Sequence, residues 1–292
     1  MQKKRTMWIF LFLVPTMVLF LLIYGAPIVT LFTTSLFDYK IYPNKFQFIG
    51  LMNYINLFFK DPTFLTALSN TLVWVVVHCA VNISIGVIVA LVLMKKPFGW
   101  KFVRTIYMVP NIISSAAIGI IFLNLFNPQY GALNSIIRLF GNKNFSVNWL
   151  FDSSTAFGSV TFTWILFGAY TTILVLAEAL AIPEEIFEAA RVDGANNFQI
   201  DLHITLPMLR NVIGTTIIMG ATYMLQMFDL IFLTTQGGPG TTTTNLPLYL
   251  YKTAMINNNY GYANAIGSFI IILGLIFLFI INKSFRIGKT DY

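Results

Sequence analysis

A chain of 292 residues with 57% hydrophobic and 10% charged side chains lies far from the ~25% charged content of soluble domains, which excludes an ordinary water-soluble globule. Its net charge of +7 is scattered over short segments without an aromatic-interleaved basic patch, so it does not point to nucleic acid. A single cysteine, Cys79, excludes an intrachain disulfide and a cysteine-rich metal site.

Stretches free of Asp, Glu, Lys and Arg cover 6–37, 62–94, 105–137, 153–177, 211–228 and 253–282. A spanning helix needs about 20 apolar residues, so six transmembrane helices are expected in one all-α polytopic membrane domain occupying 1–292, with a core at about 8–285. The basic start and the apolar run behind it exceed the ~7–15-residue core of a secretory signal, so this run reads as a retained first span. Span one, about Trp8 to Phe32, holds Pro15 and Pro27 and predicts a kink near Pro27. The outer loop behind it has room for a short amphipathic helix at Asn53 to Phe59.

Span two, about Thr66 to Leu93, carries Asn70, His78, Asn82 and Ser84. Intramembrane polar groups join helices or line cavities. With no carboxylate in view, His78 reads as structural ahead of a substrate or proton role. Lys95, Lys96, Lys101 and Arg104 form the next inner loop, and span three runs from about Tyr107, loosened by Pro110, to Asn127-Pro128. Span four, about Ser159 to Leu176, places Thr163, Trp164, Gly168 and Tyr170 at helical spacing, suited either to packing or to a surface that meets sugar rings and hydroxyls. Span five starts at Asn211, carries Tyr223, Met224, Gln226, Met227 and Asp229, and continues to about Leu233 ahead of Gly237-Gly238-Pro239-Gly240. Span six, about Ala265 to Ile281, is a packing helix.

The most polar stretch lies between spans four and five, over about 182–207. A helix can begin at Ile182-Pro183 with Glu184 and Glu185 at its positive end, and can stop at Gly194. At 100° per residue Ile186, Ala189, Ala190 and Asp193 share one side, and Glu184, Glu185, Glu188 and Arg191 the other. Pro207 halts a second short run. With the N-terminus inside, inner segments hold 12 of the 18 Lys plus Arg and outer segments 6, so the positive-inside rule places both termini, and this loop, in the cytoplasm.

Glu188-Ala189-Ala190, Gly194, Ile204 and Leu206-Pro207 stand at the offsets of the EAA loop, and the chain resembles the carbohydrate-type permeases of ATP-binding-cassette (ABC) importers. Supporting pieces are Gly50-Leu51-x-Asn53-Tyr54, Asn70-Thr71-Leu72, Arg104-Thr105 with Pro110, Leu125 to Pro128, Gly237 to Gly240 and Tyr260 to Ala263. The resemblance implies a multi-pass protein of the bacterial cytoplasmic (inner) membrane, importing carbohydrate of the oligosaccharide class. It implies as partners a second, homologous permease, two ATPase subunits and an extracytoplasmic sugar-binding protein. ATP and Mg would sit on the ATPase, and no cofactor on this chain. Glu188, Ala189, Ala190, Gly194, Ile204, Leu206 and Pro207 would couple to the ATPase. Asn111, Ser115, Thr163, Leu166, Tyr170, Tyr223, Met224 and Met227 match the family's substrate pathway, and Gln226 joins them as a polar group deep in span five. Met224 and Met227 depart from the pattern, because amides can stand there.

No phosphate loop, metal cluster or nucleophile–base–acid set is present, so catalytic and metal-ligating residues are none and the chain is not an enzyme. The competing reading is a stand-alone secondary transporter or channel. It would need intramembrane ionisable groups, for which His78 and Asp229 are the few candidates.

Overall fold

In lipid every backbone N–H and C=O needs an internal partner, so the apolar runs fold as helices. The computed structural model describes residues 2–141, 143–165 and 168–288. Among them, five helices are long and apolar enough to cross a membrane: Phe10–Thr34, Pro62–Met94, Ala156–Ala179, Arg210–Thr234 and Tyr260–Phe285. Counted as one span, the bent pair Trp100–Ile112 and Ser115–Leu125 makes a sixth.

Two of the prolines, Pro27 and Pro207, are accommodated by π-turns. Pro27 has no N–H to give the carbonyl four residues back, and the π-turn Leu21–Gly25 absorbs the mismatch, with Ala26 N–H reaching Leu21 O. Pro207 is treated the same way. The π-turn Asp201–Thr205 precedes it, Leu206 N–H bonds Asp201 O, and the chain stays helical until Leu209. The break thus falls two residues beyond the expected stop at Pro207.

Span three, expected to be loosened at Pro110, is broken further along. The helix passes through Pro110 and breaks at Ile113-Ser114, where the two halves bend by 95°. Ser114 takes an extended backbone and its Oγ accepts Ala117 N–H at 3.2 Å, capping the second half. The expected inner loop is also shorter, because Lys101 and Arg104 lie inside the helix that starts at Trp100 and stand over its ring.

The chain divides into two compact units. One combines Met1–Leu65 with Tyr249–Ile272. Its segment behind span one forms an antiparallel hairpin, Phe37–Lys40 against Lys45–Phe48, ahead of the amphipathic helix Met52–Lys60. The buried Asn53 amide donates to Ser35 O and Phe37 O, and Tyr54 OH bridges Ser35 Oγ and Ser268 Oγ at 2.7 Å each. Gly261 is required there, because a Cβ would stand 2.0 Å from Phe37 O.

The other unit, Thr66–Leu248 with Leu273–Tyr292, holds the apolar core that positions the candidate site. Ile83, Val87, Ala90 and Leu93 of span two pack with Val175, Leu176 and Ala179 of span four and with Leu209. Asn82 reaches across to Trp164 O and Ile165 O at 3.3 and 3.0 Å, satisfying carbonyls at the end of the helix Ala156–Ile165. Motif pieces far apart in sequence also meet. Asn70 donates to Thr242 O and Thr244 O, and Thr71 Oγ1 accepts Leu246 N–H, so Asn70-Thr71 holds the loop that follows Gly237 to Gly240.

Candidate functional site

The unit containing spans two to five presents two features with functional character, an exposed polar segment and an intramembrane cavity. The polar segment starts from Pro183, which serves as the N-cap instead of the first helical residue, and the helix runs Glu184–Val192. It ends in a Schellman motif: Ala195 N–H bonds Ala190 O, Gly194 N–H bonds Arg191 O, and Gly194 adopts φ +83°. Asn196 and Gln199 then form a reciprocal capping box at 2.9 Å in both directions, opening the helix Asn197–Ile200. The Asn-x-x-Gln spacing was a readable signal for that start.

Burial revises the predicted faces. Ala190 and Ile200 are buried, and Ile186 and Phe187 are half-buried, whereas Ala189 and Asp193 are exposed with Glu188. Bulky side chains fix the inward face, and the two alanines of the motif point different ways. Lys95 Nζ contacts Asp201 Oδ2 at 2.6 Å, tying the segment to the end of span two. Ile204 and Leu206 are half-buried, with Leu206 packed against the core of spans two and four, and Pro207 is exposed. The result is a charged helix standing on a rigid apolar base.

The cavity, of about 480 Å³, lies among spans two to five, within the 300–1,000 Å³ range of small-molecule sites. Asn111, Ser115, Thr163, Tyr170 and Tyr223 line it, and Tyr170 and Tyr223 are more than half exposed. The Ile113-Ser114 break delivers Asn111 and Ser115 to the same wall from two helices. Of the other expected pathway residues, Met224 and Met227 are buried and Gln226 is exposed, and none of the three is among the lining residues. Met227 O accepts the Asn245 amide at 2.5 Å at the interruption of span five, a structural task. Leu166 lies outside the described residues.

The lining also includes His78, Asn82, Trp164, Thr171, Thr216 and Gly220. Thr216, Gly220 and Tyr223 recur at i, i+4 and i+7, a helical stripe open to sequence reading but hidden by the more conspicuous methionines. His78 Nδ1 and Trp164 Nε1 are sealed from solvent with no hydrogen-bond partner.

Residues 82–286, which include most of the cavity wall and the whole polar segment, match the family described as "Binding-protein-dependent transport system inner membrane component". The chain belongs to this family. It is an ABC importer permease, an integral membrane protein and a transport subunit rather than an enzyme. The permease is 35% identical over 286 residues to the probable ABC transporter permease protein YurN of Bacillus subtilis, covering 97% of each chain. It is 35% identical over 234 residues to the multiple sugar-binding transport system permease protein MsmF of Streptococcus mutans, covering 80% of this chain and 79% of the relative. It also resembles a chain of a bacterial alginate ABC transporter, solved in complex with an alginate pentasaccharide-bound periplasmic protein. That likeness has a TM-score of 0.84 at 25% identity and covers 99% of this permease and 98% of the solved chain.

Proposed function

We propose that this permease imports an oligosaccharide across the bacterial inner membrane, lining the pathway together with a second, homologous permease and coupling through 182–207 to a cytoplasmic ATPase. The observation that carries the coupling half is the exposure of Glu188 and Ala189 on a helix whose other face is anchored by Ala190. A carboxylate displayed on a firmly seated helix can pair with a basic residue of a partner and transmit its displacement to spans two, four and five. Both termini lie in the cytoplasm, as the distribution of Lys and Arg favours.

ATP and Mg act on two copies of the ATPase, and this chain holds no cofactor. ATP binding closes the ATPase dimer, the Glu188 helix moves with it, and the cavity opens outward to take sugar from an extracytoplasmic binding protein. Hydrolysis reverses the movement. The sugar half of the reading draws on similarity to MsmF and the alginate transporter, and on the chemistry of the cavity. Hydroxyl and amide side chains there are matched to sugar hydroxyls, and Tyr170 and Tyr223 to the apolar faces of sugar rings.

Deletion of the chain from its host, scored on an array of mono- to tetrasaccharides, tests this reading. The expected result is loss of growth on one or a few oligosaccharides, restored by the wild-type chain. Unchanged use of every carbohydrate would contradict it.

A further inference from the structure

We propose that His78 is a specificity-determining residue of the transport pathway: its Nε2–H donates a hydrogen bond to a hydroxyl oxygen of the sugar in the cavity, through an opening that Gly220 leaves for it. This deepens the function proposed above and rests on it. His78 stands in the π-turn His78–Asn82 of span two, where the widened turn aims its ring at the cavity. The ring is held between Trp164, with centroids 5.5 Å apart, and Tyr223, at 6.1 Å.

The two nitrogens of this ring are in different situations. Nδ1 is sealed with no partner, and a neutral imidazole carries one N–H. A buried N–H with no acceptor is the less tolerable of the two orphans, so the proton resides on Nε2 and Nδ1 keeps only a lone pair. Nε2 lies beside Gly220, itself part of the cavity wall. A Cβ on Gly220 would approach His78 Cδ2 to 2.8 Å and Nε2 to 3.0 Å, so any larger residue would cover the donor or push the ring aside. Among the described residues no side-chain acceptor meets Nε2, which leaves the cavity's occupant as its partner. A ligand that fills a donor already in place gains selectivity, because an analogue lacking the hydroxyl would leave that donor unpaired.

The test uses the assembled transporter in proteoliposomes with its binding protein, and measures uptake of labelled raffinose, cellobiose, maltotriose and alginate trisaccharide per complex recovered. His78→Phe keeps the ring contacts but removes the donor, His78→Gln restores a donor, and Gly220→Ala covers Nε2. The expected outcome is a loss of 10-fold or more in uptake for His78→Phe and Gly220→Ala, with His78→Gln recovering at least a third of wild-type uptake. Recovery of the assembled complex should stay within twofold throughout. Equal uptake by His78→Phe and wild type would overturn the assignment, as would equal losses in His78→Phe and His78→Gln, which would make the ring structural. If His78→Phe is not recovered as a complex, His78→Gln against Gly220→Ala decides in the same way. A wild-type transporter that takes up none of these sugars fails the functional reading itself, and the assignment falls with it.

Discussion

Gly86 of span two and Gly168 of span four stand backbone to backbone. A Cβ on Gly86 would fall 2.8 Å from Gly168 O and 2.7 Å from Thr171 Cβ, and one on Gly168 would fall 2.8 Å from Asn82 O. Thr172 Oγ1 donates to Gly86 O at 2.9 Å across the same junction. Without a hydrophobic drive between helices in lipid, such close approach is what holds them together.

Gly86→Val should therefore separate spans two and four, costing about 1–3 kcal/mol as an overpacking change. Thermal unfolding in nanodiscs checks this: Tm falls for Gly86→Val and stays put for Gly158→Ala, whose Cβ would meet nothing within 4 Å.

Gly194 is constrained by conformation, not by space. Its φ is +83° and nothing lies within 4 Å of an added Cβ. Gly194→Val should cost roughly 1–2 kcal/mol at that bend and misplace the Glu188 helix, whereas Gly194→Asn should be milder because asparagine visits the left-handed region more readily. Sugar uptake should fall in the order glycine, asparagine, valine, with membrane insertion unchanged by protease-protection assay.

Asp61 joins two aromatic hydroxyls within its unit, accepting from Tyr262 OH at 2.7 Å and from Tyr249 OH. Asp61→Ala should leave both phenols without their acceptor, at about 1–3 kcal/mol for each that stays buried, and lower Tm. Burial, and then the bond to Asp61, push the Tyr249 phenol above its ordinary value. A raised folded-state value contributes stability that is complete below the unfolded value of ~10 and is lost as pH climbs beyond it. Tyr249→Phe should thus flatten the alkaline decline of Tm above pH ~10, which differential scanning fluorimetry can follow.

Arg138 closes the segment between spans three and four. Its guanidinium donates to Pro128 O, Gln129 O and Phe145 O at 2.7, 2.9 and 2.8 Å. Arg138→Ala should free these carbonyls and raise amide hydrogen exchange across 128–149 while leaving the spans protected. Arg138→Lys, which lacks the planar fork, should restore only part of that protection.

Much of this architecture was legible in the sequence because charge-free runs and helix-breaking residues act locally. The six apolar runs, the amphipathic helix after residue 50 and the stop at Gly194 all depend on neighbours within a few residues. The break at Ile113-Ser114 was harder to see, because Pro110 is the stronger helix breaker by type while Ser114 supplies the cap that decides the position. The exposure of Ala189 did not follow from periodicity, which groups it with the half-buried Ile186 and the buried Ala190. His78 looked structural because the sequence showed no partner for it. The cavity beside its ring, and the distant Gly220 against it, emerge only from tertiary packing.

The most direct measurement is mass spectrometry of what copurifies with the tagged chain from its native cell in mild detergent, with Glu188→Ala alongside. Coupling through the displayed helix predicts that a second permease and a soluble ATPase accompany the wild type, and that the variant loses the ATPase several-fold while keeping the second permease. Recovery of the chain alone, or an undiminished ATPase with Glu188→Ala, would contradict it.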